Sequence, residues 1–247
     1  MASYLESIFF RTRRQTSLTG GLASERSLVP ERDTSETLTL PDGRRLGFAQ
    51  YGLLTGKPVF YCHGLPGSRV EAGHLHEEAV ANGVRIIATD RPGMGLSSPQ
   101  PERTLIDHPK DLELLADHLK LSEYGVLQAK KQDAQFTESE KDIWTNKDIV
   151  GRMVMSSRQV YLQGVDGFSQ DGYLLCTEFG FDIQDIRHDL PINLWYGKYD
   201  TFVPPNHGRQ IAKRLGDHVR LRLEHDTHAS IFFRWRKEIL EDLVSNI

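Results

Sequence analysis

Residues 58–69 read Pro-Val-Phe-Tyr-Cys-His-Gly-Leu-Pro-Gly-Ser-Arg, an apolar run that stops at His63 and then turns through glycine and proline. The apolar run is typical of a short strand that is buried on both faces of a parallel sheet. Ligands of open α/β sheets bind at the carboxyl ends of such strands, and glycine in the turn lets the backbone come close to a ligand. The stretch therefore predicts a strand that ends at a ligand-binding edge.

The segments after this strand alternate between strands and helices. Short apolar runs predict the strands, and amphipathic runs predict the helices. The predicted strands cover residues 84–89 and 124–127, and the predicted helices cover residues 71–82 and 107–121. This order indicates a parallel sheet with crossover helices. We expect Asp107 to cap the second helix.

An alternating pattern precedes the strand that ends at Cys62. Its two halves flank Pro41-Asp42-Gly43, and Asp-Gly between two alternating runs is a strong signal of an antiparallel hairpin. We therefore predict a hairpin over residues 36–51 at an edge of the sheet.

The alternation of strands and helices breaks after Leu127 and returns at Pro191. Between these points, Thr137 and Glu140 form a capping box for one short helix, and Asn146 can cap another over residues 148–161. We expect these helices to lie over the sheet as a small insertion. The remaining predicted elements are a buried strand at residues 192–196, a helix at 206–215, a strand at 219–223 and a helix at 229–244.

The composition excludes several classes of protein. The chain has 247 residues, 38% of them hydrophobic, and a net charge of −4, which fits one α/β domain with a small insertion. No basic stripe points to a nucleic-acid partner, and no apolar run is long enough to cross a bilayer. We find no metal cluster, phosphate loop or dinucleotide fingerprint, so we expect no cofactor and no metal. The 2 cysteines indicate a reducing compartment, with the cytoplasm as the default.

The N-terminal segment leaves two interpretations open. Residues 1–22 contain arginine, serine and threonine with a single acid, Glu6, which is the composition of an organelle transit peptide and would make the protein mitochondrial. The other interpretation is a solvated tail with a short helix around Tyr4–Phe10. We assign residues 1–35 to an N-terminal tail.

Two polar residues follow neighbouring strand ends late in the chain. Asp200 comes after the strand at residues 192–196, and His228 comes after the strand at residues 219–223. Strand ends of a parallel sheet share an edge, so the two side chains can meet. An aspartate that orients a histidine forms two-thirds of a nucleophile-activating triad. The alternative is an exposed loop aspartate and a solvated histidine.

The motifs together resemble the α/β-hydrolase superfamily. They are His63-Gly64-Leu65-Pro66-Gly67-Ser68-Arg69, the glycine turn at residues 90–97, Gly197-Lys198-Tyr199-Asp200 and His228, in this order and between these strands. The chain is most similar to the single-domain esterase- and peptidase-like members that carry a small helical cap. The resemblance covers residues 38–127 and 171–243.

The resemblance implies an α/β-hydrolase fold, with a mostly parallel sheet, flanking helices and a small helical cap. The implied core comprises residues 36–128 and 171–247, and residues 129–170 are the implied cap remnant. By the same resemblance, Gly64 and the backbone N–H of Leu65 belong to the oxyanion hole. Asp200 matches the triad acid and His228 the general base. The implied substrate is a small apolar ester or amide.

The sequence departs from this family where the nucleophile should be. The family places a Gly-x-Ser-x-Gly turn after the strand at residues 124–127, followed by a helix and a strand. Here Gln128-Ala129-Lys130-Lys131 follows, and the chain contains no such motif in its Ser, Cys or Asp form. The central elbow–helix–strand unit, about 30 residues or more, is missing. We expect the Tyr124 strand either to pair with the Ile192 strand or to leave an open edge that favours aggregation or a homodimer.

Three residues are weak substitutes for the missing nucleophile. Ser97 lies in the glycine turn, Asp166 lies in the partial motif Gly164-Val165-Asp166-Gly167, and Cys62 lies inside a strand. None of them follows a strand through a tight elbow.

Three functional hypotheses follow. In the first, the chain is of serine-hydrolase ancestry, for ester or amide hydrolysis, and is inactive or impaired because its nucleophile is absent. The second is a non-catalytic protein that binds a small apolar ligand on a hydrolase scaffold. In the third, Asp200 and His228 activate a bound water, and the chain is an active enzyme. The sequence leaves open whether the chain is an enzyme.

Overall fold

The computed structural model of the chain describes residues 34–129 and 140–247, together with the backbone of residues 10–13. The strands are β1 (Phe10–Arg13), β2 (Glu36–Thr39), β3 (Arg45–Gly52), β4 (Lys57–Cys62), β5 (Val84–Thr89), β6 (Glu123–Gln128), β7 (Ile192–Gly197) and β8 (Val219–Glu224). The helices are α1 (His76–Ala81), α2 (Asp107–His118), α3 (Lys141–Thr145), α4 (Lys147–Val160), α5 (Asp166–Leu174), α6 (Pro205–Leu215) and α7 (His228–Val244).

The strands form two sheets. The larger sheet has the order β1-β6-β4-β5-β3-β2, and the smaller sheet consists of β7 and β8. Strand β4 is parallel to both β5 and β6, and β7 is parallel to β8. The predicted hairpin is confirmed, because β2 and β3 pair antiparallel with Leu38 opposite Leu46. Helices flank the sheets, and the predicted α/β fold class is confirmed.

The edge of β6 differs from both sequence-based expectations. Strand β6 does not pair with β7, and its edge is not open, because β1 pairs with it antiparallel and places Phe10 opposite Val126. The N-terminal segment supplies backbone groups that complete the hydrogen bonds of this edge, which the sequence pattern did not indicate. The predicted helix around Tyr4–Phe10 falls mostly outside the described residues, and Phe10 itself begins a strand.

Helix α7 packs against both sheets. One buried core cluster joins Leu127 of the larger sheet and Trp195 of the smaller sheet to several apolar side chains of α7. The α7 members of the cluster are Ile231, Ile239, Leu240 and Leu243. In the second turn of α7, the Phe232 ring lies 6.5 Å from the ring of Tyr61 in β4. Helix α7 therefore contacts β4 of the larger sheet as well as β6.

Asp90 connects the two glycine-rich turns. It follows β5 and accepts hydrogen bonds from the backbone N–H of Arg69 at 2.8 Å, from Arg69 Nη1 at 2.7 Å and from the backbone N–H of Leu96 at 2.9 Å. The side chains of Asp90 and Arg69 are almost completely buried. Burial raises the pKa of Asp90, and the Arg69 guanidinium opposes that shift. This ion pair fixes the turn after β4 to the turn after β5.

Several local predictions need correction. A 3-10 turn over Arg69–Leu75 precedes α1, so the predicted helix at residues 71–82 begins late. Asp107 is not the cap of α2. It lies inside the first turn, and its carboxylate accepts hydrogen bonds from the backbone and the hydroxyl of Thr104. An aspartate side chain is short enough to bond to nearby backbone groups, and here it bonds to Thr104 instead of capping the helix.

The inserted helices lie on the turn after β4. Asn146 caps α4 as predicted, because its side chain accepts hydrogen bonds from the N–H groups of Asp148 and Ile149. Helix α4 contacts the turn through Ser156, whose hydroxyl is 3.1 Å from that of Ser68. Thr137, the first residue of the predicted capping box, lies outside the described residues. Among the described helices, none combines the length and the apolar character that a membrane span needs.

The substitution Arg69→Met tests the role of the buried ion pair. It leaves the Asp90 carboxylate buried without its cation, so we expect a loss of about 3–5 kcal/mol in the free energy of unfolding at pH 7, measured by urea denaturation. Because burial raises the pKa of Asp90, protonation at pH 5 relieves part of this penalty, and the loss relative to wild type should shrink.

Arg187→Met is the matched control for this substitution. Arg187 pairs with Asp189 at 3.2 Å, and both side chains are more than half exposed. Its removal should change the free energy of unfolding by less than about 1 kcal/mol. An equal loss in the two variants would contradict the role assigned to the Asp90 pair.

Candidate active site

The structure brings Asp200 and His228 together. Asp200 Oδ2 is 2.7 Å from His228 Nδ1. The other oxygen of Asp200 accepts hydrogen bonds from the backbone N–H groups of Phe202 at 3.0 Å and Val203 at 2.8 Å. These contacts fix the direction of the carboxylate. An aspartate in this position holds the imidazole in one orientation, with its proton on Nδ1.

Local structure places each member of this pair. Asp200 lies in the loop after β7, and His228 is the first residue of α7. Thr227 caps α7 and exchanges hydrogen bonds with Ser230 in a capping box. A short hydrogen bond joins the Thr227 hydroxyl to the carboxylate of Glu140, which lies just before α3. The start of the inserted helices is therefore attached to the residue next to His228.

The second nitrogen of the His228 ring has no hydrogen-bond partner among the residues that the structure describes. His228 is 8% exposed, and its Nε2 is buried without a hydrogen bond in the described part of the chain. The Phe202 ring lies 6.0 Å from the imidazole. In a complete triad this nitrogen faces the nucleophile hydroxyl. A buried polar atom without a partner costs about 1–3 kcal/mol.

The predicted oxyanion peptide is also held in place. The carbonyl oxygen of Gly64 is 2.8 Å from His63 Nδ1 and accepts a hydrogen bond from Arg91 Nη2 at 2.7 Å. A planar trans peptide points its N–H away from its carbonyl oxygen. The N–H of Leu65 therefore points away from His63 and Arg91, and it has no hydrogen bond to a described residue. A free N–H after the strand end is what an oxyanion hole requires.

Arg91 links this peptide to the inserted helices, a role that sequence analysis missed. Its Nε lies 2.8 Å from Asp171 of α5, and Asp171 also contacts Arg103. Asp171 and Arg103 are buried. Burial lowers the pKa of Arg103 to about 10, so it stays cationic at neutral pH. The only sequence signal for Arg91 was its place in a glycine-rich turn, and Asp171 gave none.

The substitute nucleophiles do not reach the pair. The Ser97 hydroxyl donates to the carbonyl oxygen of Asp90 and accepts from the N–H of Gly47, so it serves the loop. Asp166 begins α5 and does not follow a strand. Burial raises the pKa of the Cys62 thiol to about 11, which leaves little thiolate at neutral pH.

A cavity of about 810 Å³ opens at a different place, between the 3-10 turn and α4. Its lining includes the cationic side chains Arg69, Arg152 and Arg236. Neither Asp200 nor His228 lines it. The cavity is therefore separate from the acid–base pair.

Comparisons with known proteins agree on the fold. Residues 57–127 match the family described as alpha/beta hydrolase fold. A search of curated protein sequences finds no match. The chain is similar in structure to a carboxylesterase from the thaumarchaeon Nitrososphaera gargenis, with a TM-score of 0.62 and 14% identity over 85% of this chain and 97% of the other.

Two further solved structures show the same likeness. An esterase from Exiguobacterium antarcticum has a TM-score of 0.61 and 16% identity, and the match covers 85% of this chain and 97% of the esterase. The enol-lactonase from Burkholderia xenovorans has a TM-score of 0.60 and 12% identity over 85% of this chain and 100% of the lactonase. At these identities the comparisons establish the fold alone.

Alkylation of the two cysteines tests the environment of Cys62. A pKa of about 11 leaves roughly one part in a thousand as thiolate at pH 8. Cys176 is exposed. With iodoacetamide at pH 8, intact-mass spectrometry should show one rapid addition, which Cys176→Ser removes. The rate at Cys62 should rise as the pH approaches 11. Rapid alkylation of Cys62 at pH 8 would contradict this assignment.

Proposed function

We propose that this chain, which has the α/β-hydrolase fold, is of serine-hydrolase ancestry. We propose further that its hydrolysis of esters and amides is lost or severely impaired. The observation that carries this proposal is the environment of His228 Nε2. The nitrogen is buried behind a well-oriented Asp200, and no described hydroxyl, thiol or carboxylate bonds to it. This environment suits a base for which the described residues supply no group to activate.

The expected loss of rate is large. Removal of a triad nucleophile lowers turnover on the order of a million-fold, and roughly a thousand-fold acceleration over water remains from the oxyanion hole and substrate binding. The missing turn would also supply the second oxyanion donor. With the Leu65 N–H as the one candidate donor on this loop, even the residual acceleration should be small.

The domain assignment belongs to the same proposal. We take residues 1–35 as an N-terminal segment, residues 36–128 and 171–247 as the hydrolase core, and residues 129–170 as a cap remnant. The reducing cytoplasm suits the free cysteines Cys62 and Cys176. A homodimer through a sheet edge is still proposed, because β7 pairs only with β8 among the described strands.

A second candidate function is the binding of a small apolar ligand without catalysis. It is favoured by the preorganisation of the site, since hydrogen bonds to described residues orient both Asp200 and the Gly64 carbonyl. Buried polar groups held in this way stabilise one geometry in advance of binding. The ring of Phe202 supplies an apolar contact beside His228.

Activity assays test the proposed loss of catalysis. We expect no labelling by a fluorophosphonate probe and no turnover of p-nitrophenyl esters above that of the His228→Ala variant, because no described group can attack the ester. An active α/β-hydrolase esterase serves as the positive control. His225→Ala is the matched variant, since His225 lies exposed in the same turn and contacts Lys198 and Tyr199.

Two results would overturn the proposal. Labelling of the wild type would reveal a nucleophile. Peptide mapping would then identify the labelled residue, whether it lies in residues 130–139 or elsewhere in the chain. Turnover without labelling that disappears in both His228→Ala and Asp200→Asn would instead support a water activated by the pair.

A further inference from the structure

The cavity of about 810 Å³ between the 3-10 turn and α4 is lined by a cation that no described residue neutralises. Two other arginines of the lining have carboxylate partners. Arg69 is paired with the buried Asp90, and Arg236 is paired with Glu78. Arg152 of α4 is half-buried, and neither an ion pair nor a hydrogen bond joins its guanidinium to a described residue. A charge that is partly removed from water is stabilised by an anion.

Packing against the 3-10 turn holds this guanidinium at the cavity wall. The guanidinium lies directly against Gly73, and a Cβ added to that glycine would be 2.8 Å from Arg152 Cζ. One turn further along α4, the Ser156 hydroxyl accepts a hydrogen bond from the backbone N–H of Ser68 at 3.0 Å. Helix α4 is therefore attached to the 3-10 turn beside the cavity, which fixes the place of the Arg152 charge.

A buried histidine adds a second donor to the same cavity. His76 lines the cavity and is 6% exposed. Its Nδ1 accepts a hydrogen bond from the backbone N–H of Gly52 at 3.1 Å, so the proton of the neutral ring is on Nε2. This Nε2 has no hydrogen bond to a described residue. Burial lowers the pKa of His76, the Glu77 carboxylate opposes that shift, and the nearby Arg152 charge adds to it, so the ring is neutral at pH 7.

We infer that this cavity binds a small organic acid, whose carboxylate pairs with Arg152 and accepts a hydrogen bond from His76 Nε2. A guanidinium presents two parallel N–H groups that match the two oxygens of a carboxylate, and each oxygen can accept a further hydrogen bond. Apolar side chains of the lining, Val70, Ile149 and Met155, suit the carbon skeleton of the acid. The inference is independent of the proposed loss of hydrolysis, because the acid–base pair lies outside this cavity.

The charges of the lining favour a ligand with one negative charge. Apart from the arginines and Glu78, the ionised side chains of the lining are the exposed Glu77, Lys147 and Asp148, two anions and one cation. A carboxylate brings the single charge that Arg152 offsets, whereas the second charge of a phosphate monoester would meet this weakly negative group. A neutral amide can accept from the same donors, but charge-assisted hydrogen bonds are roughly twice as strong as neutral ones.

Binding of three matched probes tests the inference. We use 4-phenylbutyrate, its primary amide and 3-phenylpropyl phosphate with the full chain at pH 7 and constant ionic strength, and measure affinity by calorimetry and ligand-observed NMR. The carboxylate should bind at least about tenfold more tightly than the amide or the phosphate. Arg152→Met should remove the preference over the amide, because this substitution deletes the guanidinium and keeps an apolar stem.

Three further variants locate the binding site. Arg158→Met should retain the preference, since Arg158 is exposed on the same helix and lies outside the cavity. His228→Ala should also retain it, which separates this cavity from the acid–base pair. Gly73→Ala should weaken the binding of 4-phenylbutyrate, because the added Cβ displaces the Arg152 guanidinium while its charge remains.

A measurement on the wild type keeps the test independent of variant folding. In protein labelled with ¹⁵N-histidine, 4-phenylbutyrate should shift the Nε2 resonance of a neutral histidine that carries its proton on Nε2, as His76 does, and the amide should shift it less. Equal affinities for the carboxylate and the amide, tighter binding of the phosphate, no binding up to millimolar concentrations, or a preference that survives in Arg152→Met would overturn the inference. Each of these results would leave the proposed loss of hydrolysis standing, because the esterase assays test it separately.

Discussion

The two described sheets are joined by side-chain packing and not by backbone pairing, and helix α7 takes part in that packing. Strands β6 and β7 share no hydrogen bonds. The apolar face of α7 instead covers Leu127 on one side and Trp195 on the other. Burial of such side chains is the main favourable term in folding. The relative position of the two sheets therefore depends on how α7 sits between them.

This constraint determines the geometry of the candidate site. Asp200 follows β7 of the smaller sheet, and His228 begins α7, whereas the Gly64–Leu65 peptide follows β4 of the larger sheet. The hydrogen bond between Asp200 and His228 is thus made within one half of the molecule. The distance from His228 to the Gly64–Leu65 peptide depends on contacts across the two halves, such as that between Tyr61 and Phe232. Arg91 and Asp171 add a polar connection from the inserted helices to the same peptide.

Sequence patterns predicted the parts of the fold that depend on local chemistry. Apolar runs marked β4, β5 and β7, Asp42-Gly43 marked the hairpin, and chain order brought Asp200 next to His228. The pairing of β1 with β6 was missed because Phe10–Arg13 has no strand pattern, and its partner lies more than a hundred residues away. Arg91 was missed for a related reason, since its partners come from a strand end and from a helix of the insertion. Such contacts are set by tertiary structure and leave no periodic signal.

The central proposal is that His228 is the base of a hydrolase scaffold and that its own chain supplies no group for it to activate. The most direct measurement is the environment of His228 Nε2 in a crystal structure that shows residues 130–139. The account predicts no Oγ, Sγ or carboxylate oxygen of the chain within about 3.2 Å of that nitrogen. A serine, threonine or acidic side chain at that distance, beside the N–H of Leu65, would contradict it.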